Sequence, residues 1–525
     1  MKIPAYFSII RKYIDRRQRS KLRLVNKGYK QLKSEDKLNL PLRLKDTLSK
    51  VKLNELHISK ILIQQNGFDM ELSIRQYLTE WILGFSFNES ILYSIGSSAP
   101  LRHPLPLEWR EALIEQGVEV DNFKSDLLWR MYGFVHWVKG ALYGLKSTLL
   151  LLKKNSKLGN YVYFFDLIDQ CISNDTHRKN ILNWYLQWNG RVEEIDSICH
   201  SVNGVSNGKL GKLEIVQTDG LPYLKGMNIF RYGVFVIYAS IYSFILLLFK
   251  PINGLFLTEI LKTRRVNCAS DNDLARDYLF HNSTPFYRPI WTYFAETGGA
   301  RILFYFYSTN SENFQKGNKN PLDNPWHLIS WPHYLVWDKF QMNFVKRFDK
   351  HKSIIEEVGA IWFSSCEGII DIPINSISAF DVTPVRPTKY MLLGRDSEYY
   401  VSKIVNQFLE DVYLVLENNN IFMAHKMKRK NERAHKGYLQ SIKKLKEQSN
   451  YIEINVNSDA TTVVKHTKAC ISMPCTSTAL IAKYEGKPSI YYDPSGTIQK
   501  NDKAAHGIPV LVNIDELRQW VEGIK

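Results

Sequence analysis

Cysteine is scarce. Six residues are scattered through 525, too few and too dispersed for a disulfide framework, so a reducing cytoplasm is the expected compartment. Cys470 and Cys475 lack a second pair, and Cys199 is adjacent to His200, which is poor ligand geometry. No metal is expected. Glycine-rich phosphate patterns are missing as well: there is no P-loop and no GxGxxG after a strand. A DxD pair is absent from the strand ends, and no GxSxG elbow is found, so no cofactor is expected. The short apolar run at residues 3–10 is broken by Pro4 and lacks a small-residue cleavage site, which argues against a secretory signal. Long hydrophobic runs are limited to one, residues 232–249 (YGVFVIYASIYSFILLLF), without a charge. It sits at the lower limit for a membrane span, and its tyrosines and serines favour a buried or interfacial helix over a crossing one.

What is present is an ordinary globular composition, 45% hydrophobic and 23% charged, which excludes disordered, collagen-like and coiled-coil chains. Lysine and arginine exceed the acids by 69 − 52 = +17, and such an excess implies an anionic partner. Nine of these bases fall between residues 11 and 30 against the single acid Asp15. Two readings fit that block: a helix lying on anionic headgroups, at about 1 kcal/mol per charge, or a solvated basic face. A nucleic-acid partner is not expected, because the bases group at the N-terminus and at strand ends, without a stripe of interleaved aromatics.

Residues 1–155 read as a helical, basic extension. From about residue 160, buried strands alternate with helices, which implies a parallel, doubly wound sheet. Strands are expected at 161–167, 213–218, 278–280, 301–307, 333–337 and 358–363. The apolar helix at 232–249 falls between two of them and is expected to cover one sheet face. After a linker in 364–375, a second series begins, with strands at 377–382, 421–426, 451–456, 470–473 and 489–492. Residues 156–365 and 366–525 thus form two Rossmann-like doubly wound domains facing a cleft, where ligands bind beyond the strands' carboxyl ends.

The stretch 470–493 carries the chemistry. A strand ends at Ser472, the chain turns at Pro474, and Thr476, Ser477 and Thr478 open a helix. Hydroxyls beside unpaired N–H groups at the positive end of a helix suit phosphate, although plain capping needs only one of them. The following strand delivers Asp493 to the same edge. At the end of the 421–426 strand, Lys426, Lys428 and Arg429, with Arg433 and His435 nearby, form a fan of cations suited to a donor phosphate; Arg386 is a weaker candidate. Sugar transfer needs a group to take the acceptor's proton, and the strand ends of the first domain offer Asp166, Asp219, His281 and Asp338. His281 and Asp338 are the catalytic candidates. Trp184, Gln187, Trp188 and Arg191 suit a sugar platform or core packing equally.

The run SMPCTSTALIAKYEGKPSIYYDPSG resembles the family of bacterial PFTS-motif polysaccharide biosynthesis proteins. The likeness extends through WPHYLVWD, FDVTPVRP, KMKRKNERAH and QKNDKAAHGIP, and so over roughly residues 160–525. Cys475 stands where the motif has Phe. The resemblance implies a glycosyltransferase of the GT-B type, with a nucleotide-sugar donor in the C-terminal domain and a glycan or lipid-linked acceptor in the N-terminal one. It also suggests CMP-activated acidic sugars. The expected setting is cytoplasmic, peripherally associated with the inner membrane surface. A non-catalytic scaffold of a polysaccharide assembly machine is the alternative.

Overall fold

The computed structural model of the chain describes residues 5–53, 62–63, 68–153, 159–165, 167, 180–190, 194–202, 208–316, 325–361, 370–395, 399–428 and 434–524. Two sheets organise it. The first contains β1 (Tyr161–Phe164), β2 (Ser197–His200), β3 (Gly208–Leu210), β4 (Leu213–Gln217), β5 (Asp277–His281), β6 (Arg301–Tyr305), β7 (His333–Val336) and β8 (Ile354–Glu357), in the order β3-β4-β2-β1-β5-β6-β7-β8. All neighbours are parallel except the β3–β4 hairpin. The second contains β9 (Ser376–Phe380), β10 (Phe422–Lys426), β11 (Tyr451–Glu453), β12 (Ala469–Ser472), β13 (Ser489–Tyr492) and β14 (Val510–Leu511), in the order β11-β10-β9-β12-β13-β14, all parallel.

Leaving out β3, the first sheet winds as third, second, first, fourth, fifth, sixth, seventh, and the second follows the same order through its sixth strand. That order places a switch point between β1 and β5 and another between β9 and β12, and each opens a crevice at the strands' carboxyl ends. The central strands are buried on both faces, β5 and β9 at every residue, as parallel strands covered by helices must be. Phe314 meets Tyr491 ring to ring at 5.5 Å, Tyr484 donates to the Trp337 carbonyl at 3.2 Å, and residues 316 and 498 form an isolated bridge. Two Rossmann-like sheets thus face each other across a cleft, with helices preceding them: the GT-B arrangement.

The N-terminal part is a layer of helices: Ala5–Gln31, Ser34–Lys50, Met70–Trp81, Phe85–Ser97, Leu107–Glu115 and Asn122–Lys153. The first of them crosses Phe85–Ser97 at Gly28 and Gly96, where a Cβ would lie 1.9 Å from the Leu92 carbonyl oxygen and 2.0 Å from that of Leu24. Only glycine permits so close a crossing.

Two expectations are corrected. The apolar helix, Met227–Leu247, does not cover a sheet. Its buried stripe of Tyr232, Val236, Ala239, Ser243 and Leu247 packs on helix Asn122–Lys153 and on Leu257–Asn267, within an apolar cluster separate from that of the sheets. The strand expected at 358–363 is β8 instead, ending at Glu357. As the last strand of its sheet, β8 is only partly buried, so it needs no apolar run. Residues 362–369 lie outside the described residues.

Candidate active site

β7 ends at Val336, and two residues later Asp338 caps helix Lys339–Phe348, accepting from the N–H groups of Phe340 and Gln341, both at 3.0 Å. The same carboxylate meets His506 of the opposite side, Nδ1 lying 3.0 and 2.8 Å from its two oxygens. His506 stands at φ +53°, followed by Gly507 at +73°, and Lys483 Nζ donates to its carbonyl at 3.1 Å. The left-handed turn presses the ring towards Asp338. Burial alone would push the Asp338 carboxyl up, but the hydrogen bond and charge of His506, with the capping N–H groups, hold it below its ordinary value.

His281, at the end of β5, is buried, its ring against those of Tyr305 and Tyr307. Its Nδ1 accepts from the Ser283 N–H at 3.1 Å, and the Ser283 hydroxyl meets the Tyr307 hydroxyl at 2.9 Å. Next to Tyr307, the Ser308 carbonyl accepts from Asn282 at 3.3 Å and Gln341 at 3.2 Å, while its hydroxyl lies 3.4 Å from that of Ser477. His281, Asp338 and Ser477 therefore belong to one polar seam along the cleft.

The other hydroxyls of the motif turn inward. Ser472 Oγ meets Thr478 Oγ1 at 2.7 Å, Thr478 donates to Thr476 at 3.2 Å, and Thr476 donates to the Met473 carbonyl at 2.8 Å. These bonds hold the turn in which Cys475 takes φ +65°. Ser472, Thr476 and Thr478 thus shape the turn, and Ser477 is the one of the four that bonds across the cleft. Burial pushes the Cys475 thiol up, while a hydrogen bond with Tyr400 and the charges of Lys316, Lys428 and Arg395 act in the opposite direction. The charges of three cations from three segments thus act on this turn. Lys316 and Arg395 were not among the candidates read from sequence, nor was His506, whose signal was the AAHGIP run.

The remaining candidates are placed elsewhere. Lys426 is buried, its amine lowered by desolvation and pulled back up by Asp459 and Asp381. His435 is exposed and caps helix Lys436–Leu445 by accepting from Gly437 N–H at 3.2 Å. Asp493 is fully buried and accepts from Tyr399, Ser495 (N–H and hydroxyl), Thr497 and Ile498. Five donors saturate it, so it braces the loop after β13 and is withdrawn from the donor-binding set. Arg386 is exposed before helix Pro387–Leu392. Asp219 pairs with Arg265 at 2.7 Å, a structural contact. Trp184 and Trp188 stack at 5.7 Å, but Trp188 donates to Glu356 at 2.8 Å and lies under Arg301. Arg301 opens β6, so that end of the stack reaches the sheet's amino edge, away from the cleft. Asp166, Arg191, Arg429 and Arg433 lie outside the described residues. Among the described residues, no group of three or more His, Cys, Asp and Glu has the geometry to hold a metal.

Known proteins were compared with this chain. Solved structures similar to it include a wall teichoic acid polymerase TagF variant (10% identity, 75% of this chain and 88% of that one, TM-score 0.37). Others are a UDP-glucosyltransferase from Polygonum tinctorium (10% identity, 69% and 89%, TM-score 0.35) and a trehalose-phosphate synthase from Burkholderia vietnamiensis (9%, 70% and 89%, TM-score 0.35). No curated protein matches the chain. A family profile described as polysaccharide biosynthesis PFTS motif protein matches residues 237–521, more than half of the sequence. The chain belongs to the PFTS-motif family of polysaccharide biosynthesis proteins.

Proposed function

We propose that the protein is a glycosyltransferase of bacterial surface polysaccharide synthesis, working at the cytoplasmic surface of the inner membrane. It moves a sugar from a nucleotide-activated donor to a glycan or lipid-linked acceptor. The observation that carries this reading is the contact of His506 with Asp338 across the cleft, on the same seam where Ser308 meets Ser477 at 3.4 Å. Asp338, expected as the base, is better suited to positioning. Its carboxylate accepts the Nδ1 proton of His506, which leaves Nε2 as the basic nitrogen. In the reaction, Nε2 takes the acceptor hydroxyl's proton, the acceptor oxygen bonds to the anomeric carbon, and the bond from that carbon to the donor phosphate breaks. The phosphate oxygen keeps the electron pair, and the cations on the Cys475 turn neutralise it.

His281 accepts at Nδ1 from the Ser283 N–H, which puts its proton on Nε2. The cations suit one phosphate of a CMP-activated acidic sugar as readily as a diphosphate. A thermal-shift panel of CMP, CDP, UDP, GDP, dTDP and AMP separates these, since a ligand at 100 times its Kd adds about 2.7 kcal/mol to the native state. A shift with CMP alone assigns the acidic-sugar class, and a shift with one diphosphate replaces it. No shift with any of them overturns the catalytic reading in favour of a scaffold.

A further inference from the structure

Two helices carry most of the large apolar side chains that face solvent. Of 33 such residues among those described, 11 lie on helix Asn122–Lys153 and 10 on residues 227–249. Along the second helix, Phe230, Val234, Ile237, Ile241, Ile245 and Leu248 are exposed at spacings of three and four, one continuous stripe. No charged residue interrupts it after Arg231. On the first helix, Met131, Phe134, Val135, Leu142, Leu145 and Leu149 are exposed along one arc.

The opposite faces are packed against each other. A Cβ on Gly144 would lie 2.6 Å from Val236, Ser147 meets the Tyr232 hydroxyl at 2.8 Å, and Trp137 donates to the Ser240 carbonyl at 2.9 Å. Both helices also rest on Leu257–Asn267. Neither leaves the protein as a crossing helix would.

The charge around the stripes is almost of one sign. Helix Asn122–Lys153 has five Lys or Arg and one acid, Asp126, and Asp126 is paired with Arg110 and Arg130. Lys139 and Lys146, both exposed, are seven residues apart and so flank the arc on the same side. Arg231 and Lys250 are exposed at the ends of the other stripe. A second copy set against this face about a two-fold axis would bring cations against cations. An anionic leaflet offers apolar chains to the stripes and phosphates to the lysines.

We propose that these two helices form a monotopic shelf lying in the plane of an anionic leaflet. The apolar stripes sink about 5–10 Å, and Lys139 and Lys146 sit at headgroup level. The proposal rests on the reading of the protein as a membrane-surface enzyme and assigns the surface that does the binding, half of it on a helix too polar to register as a span.

The test is flotation of the full chain with vesicles of phosphatidylglycerol and phosphatidylethanolamine. Leu142→Glu with Leu145→Glu, and separately Ile237→Glu with Ile241→Glu, should each lower the bound fraction at least tenfold. The thermal midpoint should stay unchanged, because all four side chains are exposed. Leu414→Glu, on an exposed position elsewhere, should float like the wild type. Lys139→Glu with Lys146→Glu should lose binding to anionic vesicles. If the Leu142/Leu145 variant floats normally, the shelf is overturned. It is also overturned if sedimentation shows a wild-type dimer that these substitutions dissociate while vesicle binding stays unchanged. Nucleotide thermal shifts in vesicle-free buffer report the catalytic reading independently, so either idea can fail alone.

Discussion

His506 and Asp338 stand 168 residues apart in sequence and meet at 2.8 Å across the cleft. One caps a helix of the first sheet's domain, and the other ends a strained turn of the second. If the pair supplies the base, replacing the ring removes proton transfer and spares donor binding. His506→Gly suits the test because glycine accepts φ +53°. The expected result is a kcat lower by about 10²–10⁴ with donor KM nearly unchanged. A donor KM that rises as kcat holds would instead make the contact a domain latch.

The same pair fixes a pH dependence. Folded, the Asp338 carboxyl is held below the ordinary aspartate value. Its ionised form therefore contributes stability in full above the unfolded value, near 3.9, and loses it as pH falls through the lower folded value. Asp338→Asn should be less stable than the wild type at pH 5, and the gap should narrow below pH 4. Denaturant melts of both proteins at pH 5 and pH 3 measure it. A gap that stays constant would show that the charge of Asp338 does not matter.

Arg395 and Lys428 are expected to act on the donor. Losing one charge-assisted bond to a phosphate costs about 1.5–3 kcal/mol, roughly ten- to a hundredfold in affinity. Both side chains are exposed, so solvent screening puts Arg395→Ala and Lys428→Ala alike at the lower end. Titration of the nucleotide found in the thermal-shift panel, at two salt concentrations, measures both variants. Unchanged affinity in both would remove the Cys475 turn as the donor site.

Much of this was written in the sequence, and what was not has physical causes. β1, β5 and β6 are buried on both faces and show as apolar runs, whereas β8 sits at an edge, where two glutamates are as acceptable as two isoleucines. The apolar helix was legible as a helix, but its partner was not, since its buried stripe of Tyr232, Val236, Ala239, Ser243 and Leu247 would suit a sheet face as well as a second helix. In the site, the hydroxyl-rich turn and Asp338 could be found locally. Lys316, Arg395 and His506 come from separate loops, and only the winding of two sheets brings them together. Asp493 was misread because residue type does not reveal how many donors the fold will aim at a carboxylate.

Beneath the cleft lies a buried polar cluster at the end of β9. Tyr438 donates to Asp381 at 2.6 Å, and His425 Nε2 lies 3.2 Å from the same oxygen. All three are buried, but the His425 contact lacks hydrogen-bond geometry, so the Tyr438 bond is the one lost when a partner is cut away. Tyr438→Phe should cost about 1.5–3 kcal/mol, as a bond to a charged group. Asp381→Ala should cost more, because it also leaves the buried Tyr438 hydroxyl without its acceptor, a further ~1–3 kcal/mol. Urea melts give both values. Equal losses in the two variants would mean that Tyr438 carries the cluster alone.

The crossing of the N-terminal helix with Phe85–Ser97 yields the last prediction. A Cβ at Gly28 would lie 1.9 Å from the Leu92 carbonyl oxygen and 2.9 Å from its carbon, both backbone atoms that no rotamer change can move. Gly28→Ala must therefore push the helices apart, at about 1–3 kcal/mol by analogy with an overpacked core. That strain falls on a contact at the edge of the molecule, where Val25, Leu92, Met391 and Leu392 form a small cluster of their own. The first helix should loosen while the sheets stay folded. Hydrogen exchange should then rise across residues 18–31, with nucleotide-induced shifts preserved. A uniform rise in exchange through both sheets would mean that the helix is integral to the core, and its basic block could not act as a separable membrane contact.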